Sequence, residues 1–414
     1  MERTIDARGL HVLPGLIDGH VHFRQPGMEH KEDWLTGSRA AVMGGVTTVL
    51  EMPNTDPPTA SAELAEAKAR LAEANSYCDF GLFGLLGADN AGELERLLAV
   101  PPVVALKAFL GPTTGGLSAP NDDVLLAGLS VARSAGARVA FHAEDASVIE
   151  RAEASLRTAG RTDPLAHLES RPVEAEVAAI ERAGRLLAQA GARGHILHLT
   201  SAEGLAAVER WRSQGVDLTC EVSAHHCFLS ADDYSRLGSL VKCNPPIREA
   251  EHGAALLAGL ATGKIDCIAS DHAPHAPDEK PATDIWRAAA GIAGVETTLS
   301  LFLTAALTGE GPSLEQLVRA FAERPAQVWG LWPRKGSLDI GADADLTLLD
   351  LARRGEIRGA QLHAKHALTP FEGRSTQGAV VGTLVRGRLV AWEGELVAEP
   401  GWGAPVARAA TRPA

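Results

Sequence analysis

The stretch LIDGHVH, residues 16–22, is a short apolar run that ends in two histidines separated by one residue. Side chains at i and i+2 of a β-strand point to the same side, so His20 and His22 can bind one metal ion from one face. A single histidine on an apolar run is more often a core residue than a ligand. The interpretation of this stretch therefore depends on whether other runs end in the same way.

Other apolar runs along the chain also end in a side chain that can bind a metal. They are 103–107, 138–142, 195–198 and 265–271, which end in Lys107, His142, His198 and Asp271, with 220–221 and its Glu221 as a weaker case. Ligand-type residues at the carboxyl ends of successive strands are what a catalytic site on a (β/α)8 barrel requires. The set therefore predicts such a barrel.

Strand-like and helix-like segments alternate along the chain, which is typical of a parallel sheet. The predicted strands are 13–23, 47–52, 78–86, 103–110, 138–143, 195–200, 217–223 and 265–270. The predicted helices are 31–43, 60–74, 91–100, 124–135, 173–190, 202–214 and 249–260. Eight strands suffice to close a barrel, and 414 residues fit a barrel with a small companion domain.

Composition changes after a helical segment at 313–329. Residues 335–350 and 376–397 are punctuated by glycine and alternate between apolar and polar positions, which predicts a small β domain, and 3–12 could add a strand to it. We assign 1–12 to an N-terminal part of the β domain, 13–332 to the barrel, and 333–414 to the C-terminal β domain and tail. The predicted fold class is α/β, a TIM barrel with a small β-sandwich built from the two termini.

Charge and cysteine content restrict the partners and the compartment. The net charge of −13, without a Lys/Arg tract, argues against nucleic acid or an anionic membrane as partner, although a local arginine can still bind a small anion. The five cysteines are odd in number and lack CxxC spacing, so we expect buried thiols. The N-terminus lacks a signal-peptide pattern and no apolar stretch could span a bilayer, so we expect a cytoplasmic location.

Seven motifs resemble those of the cyclic amidohydrolases, and within them the dihydroorotases of multifunctional pyrimidine-synthesis proteins. They are PGLIDGHVHFRQPG (14–27), EMPNTDPP (51–58), LKAFLG (106–111), FHAED (141–145), HILHLT (195–200), TCEVSAHH (219–226) and IASDHAPH (268–275). The resemblance extends over residues 5–397. Family members usually carry more residues ahead of the first motif, forming much of a β-sandwich, so we expect an incomplete sandwich here.

The resemblance implies two zinc ions per chain bridged by a carbamylated lysine. One ion would be held by His20, His22 and Asp271 and the other by His142 and His198, with Lys107 between them. A desolvated lysine favours its neutral amine, which can add carbon dioxide to give a bridging carbamate. The two ions would acidify a shared water, and Asp271 would take its proton and return it to the leaving ring nitrogen.

Substrate choice depends on residues beyond the ligand set. Arg24 lies two residues past His22, on the same strand face, and its guanidinium suits a carboxylate that Asn54 could share. The resemblance assigns both, with Asn244 and His275, to binding the 6-carboxylate of dihydroorotate. Allantoinases, which act on an uncharged ring, typically lack this arginine and asparagine. However, the segments SRPVEAEVAAI (170–180) and DIWRAAAGIAG (284–294) resemble an allantoinase more than a dihydroorotase.

Two further features are open to more than one interpretation. Some relatives hold an additional ion with the glutamate at Glu221 and a cysteine at the position of Leu197, so we expect no third ion there. Glu221, with the neighbouring His225 and His226, is instead expected to form hydrogen bonds around the metal ligands. The glycine-rich loop 111–122 lacks the GK[ST] of a phosphate loop; we expect a lid from which Thr113 or Thr114 reaches the bound ring.

Three functions therefore compete. The first is a dihydroorotase that reversibly closes N-carbamoyl-L-aspartate into (S)-dihydroorotate, and the second is another cyclic-amide hydrolase such as an allantoinase or hydantoinase. The third is a non-catalytic homologue that supports aspartate transcarbamoylase; loss of metal ligands would indicate it, and all six expected ligands are present. We expect a small-molecule substrate and a homo-oligomer, with association with aspartate transcarbamoylase as a further prediction.

Overall fold

A computed structural model describes residues 4–280, 283–366 and 368–409. Its first strand, β1 (His11–Pro14), belongs to a small sheet, and the next eight form a nearly closed parallel barrel in chain order. Each barrel strand overlaps a predicted strand, and the α/β barrel fold is confirmed. The barrel strands are β2 (Leu16–Val21), β3 (Val46–Glu51), β4 (Asp79–Leu85), β5 (Val103–Phe109), β6 (Arg138–His142), β7 (Arg193–Ile196), β8 (Leu218–Val222) and β9 (Cys267–Ile268).

The last strand closes the ring near the carboxyl ends of the others. β9 pairs with β8 over two residues, and Val21 then forms an isolated parallel bridge with His272. The His22 backbone N–H donates to the His272 carbonyl at 2.7 Å. This closure brings the segment after β9 beside the His-x-His pair that ends β2.

Helices connect the strands on the outside of the barrel. All seven predicted inter-strand helices are present, whereas α5, α6, α9, α10 and α12 were not predicted. The helices are α1 (Trp34–Met43), α2 (Ala62–Asn75), α3 (Leu94–Ala99), α4 (Asp122–Ser134), α5 (Ala146–Thr158), α6 (Pro164–Ser170), α7 (Val173–Ala190), α8 (Ala202–Ser213), α9 (Ala224–Phe228), α10 (Asp233–Leu237), α11 (Ala250–Ala261), α12 (Thr298–Thr308), α13 (Leu314–Val318) and α14 (Arg324–Val328). Within the described residues, none is long and apolar enough to cross a membrane.

Both termini contribute to the antiparallel sheet, in the order β1, β10 (Leu346–Glu356), β11 (Ser375–Val385), β12 (Arg388–Trp392), β13 (Glu395–Leu396). The predicted strand 13–23 is in fact two strands that divide at Gly15. A Cβ at Gly15 would lie 2.2 Å from Thr47 Oγ1, so only glycine fits where the chain leaves the small sheet and enters the barrel. The predicted segments 1–12 and 333–414 include residues 1–3, 367 and 410–414, which lie outside the described residues.

The interior of the barrel is closed beneath the site by packed side chains. Trp329 lies against Phe83 in an edge-on contact, with ring centroids 5.0 Å apart, and its ring centroid is 4.8 Å from that of His195. A Cβ at Gly19 would meet Trp329 Nε1 at 2.7 Å, so this glycine makes room for the indole. The five cysteines are buried and free, as predicted.

Candidate active site

The predicted metal ligands come together where the barrel strands end. His20, Lys107 and His142 are in the last residues of β2, β5 and β6, and His198 and Asp271 follow β7 and β9. In the described chain, three of the five non-glycine residues with positive φ are in this region: Arg24 at 66°, His198 at 35° and Asp271 at 46°. Such backbone strain concentrates at functional sites, because the surrounding structure must hold it in place.

The first ligand group consists of His20, His22 and Asp271. His20 Nε2 and His22 Nε2 lie 3.2 and 3.3 Å from Asp271 Oδ1, and one ligand atom from each residue lies within 4.8 Å of the others. Burial lowers the pKa of both histidines well below their usual range. Both rings are therefore neutral, which is the form that binds a metal.

The second group consists of His142 and His198, which face each other directly. His142 Nδ1 lies 2.9 Å from His198 Nε2, while His142 Nε2 lies 2.9 Å from Glu144 Oε2. Donation from Nε2–H to Glu144 leaves a lone pair on His142 Nδ1 that points toward His198. His198 Nδ1 is buried without a hydrogen-bond partner. This pair fits two ligands that share a cation.

Lys107 is buried between the two groups and has an unusual environment. Its Nζ lies 4.7 Å from the centroid of the Phe109 ring, and within the described chain it has no hydrogen-bond or ion-pair partner. Burial lowers the pKa of the Lys107 amine to about 7, with Asp271 and Glu221 opposing the shift. A substantial fraction is therefore neutral near pH 7 and able to react with carbon dioxide.

Two buried carboxylates contact histidines of the ligand set from behind. Glu221 Oε1 accepts from His20 Nδ1 at 2.7 Å, and Glu221 Oε2 lies 3.1 Å from His195 Nε2. Glu144 plays the matching part for His142, and also pairs with Arg171. The sequence prediction missed Glu144, although its position two residues beyond His142 in FHAED places an acid at the end of the same strand.

The donor set fits a two-metal site. Four neutral imidazoles, one carboxylate and one amine that can become a carbamate are ligands that zinc accepts, and carboxylates orient the imidazoles as is usual around bound metals. His198 Nδ1 is a buried polar atom without a partner, and Lys107 Nζ forms no hydrogen bond or ion pair within the described chain. Every residue of this donor set is therefore compatible with bound zinc.

Predicted substrate-binding residues line the same cavity as the ligand set. Arg24, Asn54 and Asn244 line it, together with Thr113 and Thr114 from the loop 111–122. The predicted reason for the Arg24 position was wrong: β2 ends at Val21, and the left-handed backbone at Arg24, not strand alternation, aims the side chain. Oδ1 of Asn54 and Oδ1 of Asn244 are buried without a hydrogen bond of normal geometry. The Asn54 side chain nevertheless lies close enough to His22 to favour the protonated form of that ring.

Arg24 itself is a buried cation whose direct polar contacts are to neutral groups, while Glu51, Asp271, Glu279 and Glu32 favour its charged form from a distance. Its Nε donates to the Pro274 carbonyl at 3.3 Å, Nη2 lies 3.4 Å from His275 Nε2, and Nη1 has no partner in the described chain. Arg24 as a whole residue is 1% exposed, so water does not solvate it appreciably. A carboxylate entering the cavity would find both a charge partner and free donors.

His275 lies behind Arg24 instead of on the cavity wall. Its Nδ1 lies 3.4 Å from Lys31 Nζ and its Nε2 lies 3.0 Å from the Ala290 carbonyl. Burial, with Arg24 next, lowers the pKa of His275, so the ring is neutral. Because the Lys31 ammonium can only donate, Nδ1 accepts and Nε2 carries the hydrogen that goes to Ala290. His275 therefore cannot also accept from Arg24, which leaves Nη2 available.

Comparison with known proteins identifies the family to which this site belongs. Residues 11–390 match the model of the amidohydrolase family. The chain belongs to the amidohydrolase family. Its relatives include a dihydroorotase of Halobacterium salinarum, 43% identical over 96% of this chain and 90% of that protein, and an allantoinase of Rubrobacter xylanophilus, 38% identical over 96% and 87%. Among solved structures, the L-hydantoinase (dihydropyrimidinase) of Arthrobacter aurescens superposes with a TM-score of 0.95 at 34% identity, covering 98% of this chain and 91% of that one.

These relatives support a hydrolase of the amidohydrolase superfamily, and cyclic amides as its class of substrate. The family typically uses a metal, in keeping with the candidate ligand groups. Relatives of comparable identity are named after different rings, so the choice among rings depends on the cavity of this chain.

Proposed function

We propose that this amidohydrolase is a zinc-dependent dihydroorotase that interconverts N-carbamoyl-L-aspartate and (S)-dihydroorotate in pyrimidine biosynthesis. The observation that carries the proposal is the unpaired guanidinium of Arg24 in the cavity that holds the candidate metal ligands. Glu51, Asp271, Glu279 and Glu32 stabilise the Arg24 charge from a distance, but none forms an ion pair with it within the described chain. A buried charge without a direct partner carries a free-energy cost. The 6-carboxylate of dihydroorotate would remove that cost, whereas the uncharged rings of allantoin and hydantoin would not.

The protein side of binding follows from the unpaired atoms. Arg24 Nη1 and Nη2 would donate to the substrate carboxylate, while Oδ1 of Asn54 and Oδ1 of Asn244 would accept from ring N–H groups. Asn54 Nδ2 donates to the Thr114 carbonyl at 3.0 Å, so the asparagine connects the ring to the loop 111–122. His275 would support this end of the site by packing against Arg24 without accepting a hydrogen bond from it.

At the other end of the cavity, His20, His22, His142, His198, Asp271 and carbamylated Lys107 would hold two zinc ions. Bound zinc would polarise the amide carbonyl and make a water acidic enough to attack it. Asp271 would hold the proton released in hydrolysis and deliver it to the departing ring nitrogen. In the chain without metal, burial raises the pKa of Asp271 to about 6, and bound zinc would oppose that shift because a nearby cation favours the ionised carboxylate.

The loop 111–122 would close this cavity during turnover. Thr114 Oγ1 lies 3.4 Å from the carbonyl of Ala290, which also lines the cavity, and the Pro112 carbonyl accepts from Arg171 Nη2 at 2.8 Å. The loop therefore lies over the site while anchored at its first residues. Opening at Thr113 and Thr114 would admit substrate, and closure would exclude water from the cavity.

A side-by-side assay tests the proposal. Zinc-loaded protein should turn over dihydroorotate and should act poorly on allantoin and on hydantoin. Arg24→Met should keep two metals. It should lower kcat/KM for dihydroorotate by the factor that corresponds to a loss of about 2 to 5 kcal/mol in transition-state stabilisation, and it should lower kcat/KM for neutral dihydrouracil far less. Equal losses on charged and neutral rings, or efficient allantoin hydrolysis by the unchanged protein, would refute the dihydroorotase assignment.

An allantoinase is the second candidate, and a specific observation favours it. Ala290 and Gly291, from the allantoinase-like segment 284–294, line the cavity. Arg171, from the other such segment, pairs with Glu144 behind His142. These segments therefore reach the site, and the same assay on allantoin decides between the two functions.

The prediction of a homo-oligomer and of association with aspartate transcarbamoylase remains part of the proposal. Sedimentation of the purified protein, alone and mixed with that enzyme, measures both. A complex with the transcarbamoylase would support a shared pathway, and a complete metal-ligand set argues that this chain would be the catalytic partner in it.

A further inference from the structure

A second group of buried metal-binding side chains lies outside the ligand set described above. His225 and His226 are on α9, and Cys243 is on the segment that leads to Asn244. One nitrogen of each ring and Cys243 Sγ lie within 4.8 Å of one another, and Sγ is 3.9 Å from His226 Nε2. Donors at this spacing can contact one ion after small side-chain movements, since zinc bonds to nitrogen and sulfur are about 2.0 to 2.3 Å long.

The polar atoms of this group are incompletely satisfied. His225 Nε2 and His226 Nδ1 are buried without a hydrogen-bond partner in the described chain, and each of the three residues is at most 4% exposed. Each unsatisfied buried polar atom costs about 1 to 3 kcal/mol, which a cation would offset if it bound through that atom. His226 Nε2 already lies 3.1 Å from the Pro245 carbonyl, so the nitrogens available to a cation are His225 Nε2 and His226 Nδ1. Burial also lowers the pKa of both rings, which keeps them in the neutral form that ligates.

The ligand types select the ion. A thiol with two imidazoles suits Zn²⁺ and other thiophilic ions, whereas Mg²⁺ and Ca²⁺ require oxygen ligands. We propose that His225, His226 and Cys243 form a separate binding site for a thiophilic divalent cation, Zn²⁺ or its probe Cd²⁺. Binding replaces the hydrogen on Cys243 Sγ with a metal–sulfur bond, and the proton leaves to solvent. This position differs from that of Glu221 and Leu197, where no third ion is expected.

The proposed site connects to the catalytic cavity through the chain. Cys243 directly precedes Asn244, whose side chain lines that cavity. The Pro245 carbonyl, on the other side of Asn244, lies 3.1 Å from both Cys243 Sγ and His226 Nε2. An ion that holds Cys243 to α9 would therefore fix Asn244, so occupancy should change KM more than kcat.

Cadmium titration of the zinc-loaded protein tests the site without relying on activity. The wild type should bind one extra Cd²⁺ per chain and develop the ultraviolet charge-transfer band of a cadmium–thiolate bond. Cys243→Ser should lose that band and bind the extra ion on the order of tenfold or more weakly. Cys227→Ser is the matched control, because Cys227 is buried on α9 beside His225 and His226 but lies outside the group.

Two outcomes would overturn the proposal. The first is cadmium uptake that releases an equal amount of zinc without a thiolate band, because the ion then enters only the catalytic site. The second is a band that persists in Cys243→Ser and disappears in Cys227→Ser. His225→Ala should also bind the extra Cd²⁺ ion more weakly. The melting temperature of this variant should show that the chain is folded, so that the weaker binding reflects a lost ligand and not a lost structure.

Discussion

The two ends of the catalytic cavity differ in how their polar groups are satisfied. At the metal end, His20 is held by Glu221 and His142 by Glu144. At the anion end, which we define as Arg24, Asn54 and Asn244, each side chain keeps a buried polar atom without a partner. Protein carboxylates orient the imidazoles of the metal end, which still leaves His198 Nδ1 without a partner, whereas no carboxylate of the described chain pairs directly with Arg24 at the anion end. The first explains membership of the family, and only the second distinguishes one ring from another.

Replacing Lys107 should disrupt metal binding at the metal end more than any other single change. Lys107→Ala should lose the bridged ion pair and lower kcat by about 10³-fold or more, because bound metals contribute several kcal/mol to such reactions. Elemental analysis and turnover measure both effects. Active protein with one metal ion or none would contradict the two-metal arrangement.

Lys280 provides the control, because burial lowers its pKa to about 7 as well. Its Nζ donates to the carbonyls of Lys242, Ala289 and Gly291 at 2.8 to 3.2 Å. Lys280→Ala should therefore lower the melting temperature of the metal-free protein, since it leaves buried carbonyls unpaired. Lys107→Ala should not, since no hydrogen bond is lost within the described chain.

The second prediction concerns the proton carried by Asp271. Asp271→Asn keeps the shape but removes the proton acceptor, so kcat should fall by about 10²- to 10⁴-fold, and further if a metal is lost. Metal content measured on the same sample separates the two causes. The loss should be equal on charged and neutral rings, because Asp271 belongs to the metal end. Near-normal turnover would place the base elsewhere.

The sequence predicts the metal end far better than the anion end. Strand ends in a parallel barrel converge on one face, so spacing alone locates His20, Lys107 and Asp271 together. The sequence analysis placed Arg24 by strand alternation, and that reason was wrong, because the position of Arg24 depends on a left-handed turn after β2. The position of His275 behind Arg24 depends on contacts with Lys31 and Ala290, which are far apart in the chain. Loop packing of this kind has no periodic signature in a sequence.

The third prediction separates the two metals through their supporting carboxylates. Glu144→Gln should weaken the ion near His142, and Glu221→Gln the ion near His20, each by about 10- to 100-fold in affinity. Titration with a chelator should then release one zinc early in each variant and leave the other nearly unchanged. Turnover should return at saturating zinc. Simultaneous release of both ions would show that the carboxylates support the bridged pair as one unit.

The smallest effect is expected at Lys31, which touches the anion end only indirectly. Its Nζ lies 2.9 Å from Glu279 Oε1 and 3.4 Å from His275 Nδ1. In Lys31→Met, His275 Nδ1 loses its donor, and the ring can adopt the other tautomer and accept from Arg24. That competing contact should raise KM for dihydroorotate by about two- to fivefold, as expected for a partly exposed ion pair worth up to about 1 kcal/mol.

Neutral rings should show no such change, and kcat should be retained on both substrates, because the metal end is untouched. The matched measurement is KM for dihydroorotate and for dihydrouracil in wild type, Lys31→Met and Arg24→Met. If Lys31→Met affected both rings alike, His275 would act on the whole cavity and the two ends could not be treated as separate. A loss confined to the charged ring would show that the anion end extends outward from Arg24 through His275 to Lys31.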